Sequence, residues 1–251
     1  MYDAYWKFAG RVVIDQRCIE VEFYRDVLAG LQMEDLIFDI GANHGQKTDI
    51  FLRLGARVVA VEPDELNQGV LKQKFLEMRI VKKPVVIVGK AVGDRKSVET
   101  MWIDAPGSAK NTLSRKWVET LRVDDSRFGT KLDFAKRREI ETVTVEDLIE
   151  SYGAPFFIKI DVEGYELSVL RGMRRSVPYI SFEVNLPEFR PEGLECVEYL
   201  GQLSPNGRFN YAGDCQDGLV LDEWMEKREF LRVLSHCNEE SIEVFFKTPT
   251  K

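Results

Sequence analysis

Asp39-Ile-Gly-Ala-Asn-His-Gly45 is the stretch on which the fold turns. It overlaps the end of an apolar run, Leu36-Ile37-Phe38-Asp39-Ile40, whose length suits a buried strand. Glycines just past a first strand let the backbone come close to a ligand. A helix is predicted from about Gln46 to Leu54, with Ile50, Phe51 and Leu54 on one face, and Gly55 is a natural stop. The N-terminus of such a helix offers free N–H groups and the positive end of a dipole. A second strand follows at Val58-Val59-Ala60-Val61-Glu62. Pro63 suits the start of the next helix, which carries Leu66, Val70, Leu71, Phe75 and Met78. Strand, glycine turn, helix and strand make the unit that binds nucleotide-like ligands at the carboxyl ends of an open sheet.

Glu62 lies 21 positions after Gly41 and ends the second strand, where a carboxylate can accept both hydroxyl hydrogens of a ribose. Two cofactors match that outline, a dinucleotide and S-adenosylmethionine. The dinucleotide fingerprint needs glycines at 41, 43 and 46, but Asn43 and Gln46 occupy the last two places. A side chain at 43 obstructs a pyrophosphate. Asp39 is an unwelcome charge beside phosphates and a welcome one beside a sulfonium and an amino group. Both departures favour S-adenosylmethionine. An NAD(P)-dependent oxidoreductase of Rossmann type and a noncatalytic cofactor-binding protein stay as alternatives.

Outward from this unit, short apolar runs alternate with helix-like segments, the signature of a mostly parallel sheet covered on both faces. The third strand is expected at Val85–Val88, continuing through Lys90-Ala91-Val92. Ser97–Ile103 and Glu141–Val145 alternate like strands exposed on one face. Between them lies an irregular polar region. Residues 110–139 carry nine Lys/Arg against five Asp/Glu, either a solvated insertion or a cap over a pocket for an anionic or hydroxyl-rich substrate. Trp102 and Trp117 frame this insertion, and both read as packing residues. A further strand ends at Asp161, followed by a helix to about Arg171. Then come a strand at Tyr179–Val184, a helix over Cys196–Leu203, a strand at Phe209–Ala212, a helix near Asp222–Leu234 and a strand at Ile242–Phe246. Residues 1–33 read as an N-terminal helical extension that braces the fold or makes a homodimer contact. Residues 34–251 read as one domain with an insertion at about 94–140.

The chain has 251 residues, 44% hydrophobic and 31% charged, values of a packed globular protein. Its formal net charge of −7 and pI near 5.2 make nucleic acid a poor first guess as partner. Apolar runs fall far short of the roughly 20 residues of a membrane span. Residues 1–7 lack the basic and apolar regions of a signal peptide. Cys18, Cys196, Cys215 and Cys237 are widely spaced, which suits a reducing, cytoplasmic setting.

Several blocks together resemble the FkbM-type methyltransferases: Asp39–Gly45, Val59-Ala-Val-Glu-Pro-Asp64, Lys90-Ala-Val-Gly-Asp94, Thr142-Val-Thr-Val-Glu-Asp-Leu148, Phe157-Ile-Lys-Ile-Asp-Val-Glu-Gly-Tyr-Glu-Leu167 and Phe182-Glu-Val-Asn185. They run in order over about residues 36–186, and the Lys159–Glu166 block is the specific one. The resemblance implies a class I methyltransferase fold, Rossmann-like and doubly wound, with a mostly parallel seven-stranded sheet and helices on both faces. It also implies methyl transfer from S-adenosyl-L-methionine, most often to a hydroxyl of a sugar or secondary metabolite. The acceptor is then a small molecule or glycan.

The same resemblance assigns Asp39, Gly41, Ala42, Asn43 and Gly45 to the cofactor turn, with Asp39 near the cofactor's amino group. Glu62 would hold the ribose, Pro63 would line the adenine edge, and Gly89, Lys90 and Ala91 would flank the adenine face. Asp161 ends the fourth strand at the rim shared with Asp39 and Glu62, so it is the first candidate to take a proton from the acceptor or to anchor it. Glu163 is the second. His44 has a suitable intrinsic pKa for a base, and Glu183 ends the fifth strand at the same rim. Asp161, Glu183 and Glu163 could make an oxygen site for a divalent ion. No His/Cys cluster has zinc spacing, and no metal is expected.

Overall fold

The computed structural model describes residues 14–76, 85–123 and 132–249. Five parallel strands form its centre: β1 (Leu36–Ile40), β2 (Arg57–Val61), β3 (Val85–Val88), β7 (Phe157–Ile160) and β8 (Tyr179–Asn185). Beyond β8 lie β11 (Ser241–Lys247), β9 (Arg208–Ala212) and the two-residue β10 (Met225–Glu226), each antiparallel to its neighbour. The order is β10-β9-β11-β8-β7-β1-β2-β3. The sheet therefore has eight strands rather than the expected seven, and β10 is the addition. Strand order reverses direction of growth at β1 and β7, which opens a crevice above their carboxyl ends.

Alternation along β1 divides the core. Phe38 and Ile40 face a cluster built with α4 (Arg115–Val123), α5 (Val145–Tyr152), α6 (Glu166–Arg171), α7 (Arg190–Leu203) and α8 (Lys227–His236). Ile37 faces a second cluster built with α1 (Ile14–Val27), α2 (Gln46–Arg53) and α3 (Glu65–Lys74). All five side chains of β1 are buried, as a strand covered by helices on both faces requires. The segment 14–27 is helical, and Tyr24 packs edge-on against Phe51 of α2. Residues 1–13 of the expected extension, and Met78 of the expected third helix, lie outside the described residues.

Three expectations need correction. The third strand stops at Val88. Its next partner on β2 would be Glu62-Pro63, and proline has no N–H to continue the ladder. Ala91–Val92 instead forms β4 in a separate sheet, β4-β6-β5, with β5 (Ser97–Ile103) and β6 (Lys136–Val143). The region 110–139 is not irregular throughout: α4 buries Trp117, Val118 and Leu121, a helical i, i+1, i+4 pattern hidden among cations. The helix expected near Asp222 begins at Lys227, because Met225 and Glu226 pair with β9. Among the described residues no helix is long and apolar enough to cross a membrane.

Candidate functional site

The turns after β1, β2 and β7 frame a cleft of about 740 Å³. Gly41 and Asn43 form one wall. Gly41 has φ +84°, and a Cβ there would lie 1.8 Å from the backbone oxygen of Asp161. The first and fourth strand ends thus touch through a position only glycine can fill. The Gly41 and Ala42 N–H groups both donate to the carbonyl of Val61 at 3.0 Å, which pins the turn to β2. Ala42 itself is buried in the core, and Gly45 caps α2 in a left-handed conformation. Neither lines the cleft.

Glu62 is held from two sides. The Asn43 N–H donates to Oε2 and the Asp64 N–H to Oε1, both at 2.8 Å. Each oxygen keeps a lone pair for a further donor. Burial pushes the Glu62 carboxyl up to about 7, helped by the Asp64 charge and opposed by the two backbone donors. Pro63, Lys90 and Ala91 also line the cleft, and Lys90 turns its ammonium to Glu141 at 2.7 Å. Gly89 stands back from the wall against the side chain of Gln68.

Asp39 lies beneath the turn rather than in the cleft wall. It is fully buried and accepts the Thr48 hydroxyl of α2. Burial raises its pKa, and Lys159 and Thr48 oppose that shift. Lys159 is itself buried. Its ammonium reaches Asp161 at 2.8 Å, and Asp161, Glu243 and Asp39 hold it charged against desolvation.

Asp161 and Glu163 form the far wall. Glu163 has φ +55°. Its Oε2 accepts the Trp117 indole N–H at 3.0 Å and its carbonyl accepts the Thr112 hydroxyl at 2.7 Å. Glu183 stands behind them, accepting from Asn185 at 3.1 Å and Ser241 at 2.9 Å. Carboxylate oxygens of Asp161, Glu163 and Glu183 lie within 4.8 Å of one another, a spacing a divalent cation could bridge. Burial first, then the charges of Asp161, Glu163 and Glu166, push the Glu183 carboxyl well above the usual range. His44 is exposed and outside the cleft wall.

Met101 of β5 and the loop between β5 and α4, through Ser108, Ala109, Asn111 and Leu113, roof the cleft. The loop is tied to both sides. The Asn111 amide donates to Asp64 at 3.1 Å, and Thr112 holds the Glu163 loop. The loop therefore caps the site, and four nearby basic side chains have partners elsewhere. Arg115 pairs with Glu119, Lys116 with Glu192 and Arg138 with Glu65, while Arg137 lies 3.9 Å over the Trp102 ring. Trp117 is wholly buried and Trp102 lies outside the cleft. Sequence reasoning missed the roof residues and Asn67, a buried side chain in the first turn of α3 that also lines the cleft.

The family model described as the methyltransferase FkbM domain matches residues 39–230. No curated protein matches the sequence. Among solved structures, the methyltransferase FkbM from Methylobacillus flagellatus superposes with a TM-score of 0.55 at 17% identity, covering 90% of this chain and 47% of that one. The chain thus spans about half the length of that protein, and at this identity the likeness is one of fold. A TehB-like SAM-dependent methyltransferase from Corynebacterium glutamicum gives 0.47 at 11% identity, covering 99% and 96%. An rRNA methylase from Streptococcus thermophilus gives 0.42 at 10%, covering 93% and 94%. With the FkbM model spanning the cleft, its roof and the three-carboxylate wall, the chain belongs to the FkbM methyltransferase domain family, a family of S-adenosylmethionine-dependent methyltransferases with the class I fold.

Proposed function

We propose that this chain methylates a hydroxyl group of a sugar or secondary-metabolite acceptor, with residues 34–251 as the catalytic domain and residues 94–140 as the insertion that shapes its acceptor end. The observation that carries this reading is one cleft with two unlike carboxylate walls. Glu62 stands at the Gly41–Asn43 turn, and Asp161 and Glu163 stand opposite. When bound, S-adenosylmethionine supplies an electrophilic methyl group on a sulfonium. The donor set fits that group. The wall by the turn offers acceptors, and its one cation, Lys90, is engaged by Glu141. A pyrophosphate would find no counter-charge there.

In this reading Glu62 accepts the ribose hydroxyls, Pro63 and Ala91 enclose the adenine, and the backbone of Gly41 and Asn43 meets the methionine part. Asp161, held in place by Lys159, would take the proton of the acceptor hydroxyl as that oxygen displaces the methyl group from sulfur, with S-adenosylhomocysteine as the leaving group, and Glu163 would orient the acceptor. Alignment and exclusion of water under the roof supply much of the acceleration. The test is transfer of a labelled methyl group from S-adenosylmethionine to a panel of hydroxyl-bearing sugars and secondary metabolites. Asp161→Asn should lower turnover by about 10²–10⁴-fold and leave affinity for S-adenosylhomocysteine within a few-fold. Unchanged turnover in Asp161→Asn would remove the base from this scheme. Binding of NAD(P) without binding of S-adenosylhomocysteine would replace the reaction class altogether.

A further inference from the structure

Asn67 is 2% exposed and lines the cleft, yet its Oδ1 is buried without a hydrogen-bond partner. The cause is its position. The backbone N–H of Asn67 is taken by the Asp64 cap of α3 at 3.4 Å. The other half of its amide interacts with the Glu62 carboxylate, which it helps to keep charged. The roof then passes directly overhead at Gly107, whose φ is +72°, and a Cβ at that residue would lie 3.1 Å from Oδ1. The Asn111–Asp64 hydrogen bond holds the roof down over the same spot. Oδ1 is therefore boxed beside Glu62, with a glycine above it, on a side chain that lines the cleft. An orphaned buried carbonyl is destabilising, and such an atom in a native protein calls for an explanation. On the other side of Glu62, the Oδ1 of Asn43 is a second buried acceptor without a partner, in the same cleft.

The cleft wall thus carries the Glu62 carboxylate together with two amide oxygens without partners, on Asn43 and Asn67. Such a set is complementary to a ligand edge that carries several O–H donors, and it repels one that carries phosphoryl oxygens. We infer that Asn67 is a cofactor-specificity residue whose Oδ1 accepts a hydrogen bond from a ribose hydroxyl of the bound nucleoside, beside Glu62. The inference rests on the S-adenosylmethionine reading given above. It adds a residue from the helix after the second strand to a set otherwise drawn from strand ends and turns. It also explains why the roof carries glycine at 107: a side chain there would crowd the acceptor that the ribose has to reach.

Calorimetry with S-adenosylhomocysteine and its 2′-deoxy and 3′-deoxy analogues tests this on the full chain. The variants are Asn67→Ala and Asn67→Leu, the latter with the branching and heavy-atom count of asparagine and free of the orphaned carbonyl. Both should bind S-adenosylhomocysteine roughly tenfold more weakly than wild type, one neutral hydrogen bond's worth. For the deoxy analogue that lacks the hydroxyl read by Asn67, wild type and variants should bind alike. The leucine variant should melt at or above the wild-type temperature without ligand. Equal affinity of wild type and both variants for S-adenosylhomocysteine would overturn the inference. So would an equal weakening for all three ligands, which marks a purely structural role, or unfolding of both variants. Folded wild-type protein that binds none of the three ligands would instead overturn the cofactor reading, and this inference with it.

Discussion

Glu62 joins stability to ligand binding at a single carboxyl group. Burial raises its pKa from 4.5 to about 7, so in the free protein its ionisation is resisted by the fold. The folded value lies above the unfolded one. The contribution to stability is therefore full below pH 4.5 and is lost as pH rises through 7. Over that window it amounts to about 3 kcal/mol, an order-of-magnitude figure. Glu166, pushed up to about 7 by burial behind the same cleft, acts with the same sign. Glu62→Gln has no such titration, so the melting temperature of the variant relative to wild type should rise steadily from pH 5 to pH 8. Hydroxyl donors favour the ionised form. Wild-type affinity for S-adenosylhomocysteine should therefore increase across the same range, while the glutamine variant stays flat. A parallel pH dependence in the two proteins would mean that Glu62 is not the titrating group. The sequence placed this carboxylate at the end of the second strand by spacing alone. It could not show that two backbone N–H groups fix it, nor that Asp39, equally conspicuous in the motif, turns under the sheet to Thr48.

Elements were legible where burial is complete and obscured where it is partial. β1 and β7 are short, wholly buried and bounded by glycine turns, so the apolar runs alone marked them. α4 was hidden because its three buried side chains sit inside a run of cations whose chemistry points to solvent. The roof loop gave no signal at all. Its hold on the cleft depends on Asn111 reaching Asp64, 47 positions away, and Thr112 reaching the carbonyl of Glu163. That arrangement makes the roof a hinged cover with one tie on the helix side. Asn111→Ala removes the tie to Asp64 together with the side chain's bonds to the Asp104 N–H and the Ala105 carbonyl, and spares the Thr112 contact. Amides of residues 104–111 should exchange faster with solvent, and S-adenosylhomocysteine should dissociate several-fold faster, with global stability lowered by about 1 kcal/mol or less. Unchanged exchange in that loop would show that packing against Gly107, rather than the amide, keeps the roof closed.

At the scale of the molecule, charge is distributed against the expectation drawn from the insertion. The chain carries −7 overall, and the segment 110–139 carries nine Lys/Arg against five Asp/Glu. In the folded protein Arg115, Lys116 and Arg138 are spent on ion pairs with Glu119, Glu192 and Glu65, and Arg137 on an aromatic face. The cleft is left with Glu62, Asp161 and Glu163 in its walls against Lys90, which Glu141 engages. In the proposed scheme an acceptor docking beside Asp161 meets these carboxylates. Nucleic-acid binding depends on cations that release counterions from phosphates, and it weakens steeply with salt. Here no stripe of unpaired cations leads to the cleft among the described residues. One fold hosts many functions, so the distinction has to come from charge rather than from topology. Titration of the full chain against single-stranded and hairpin RNA at 50 mM salt should give no shift at micromolar protein. In methyl-transfer assays, a phosphorylated acceptor should be a poorer substrate than its neutral parent, and raising the salt should narrow the gap by screening the repulsion. Tight RNA binding that weakens steeply with salt, or a preference for the phosphorylated acceptor, would place the insertion's cations at the substrate after all.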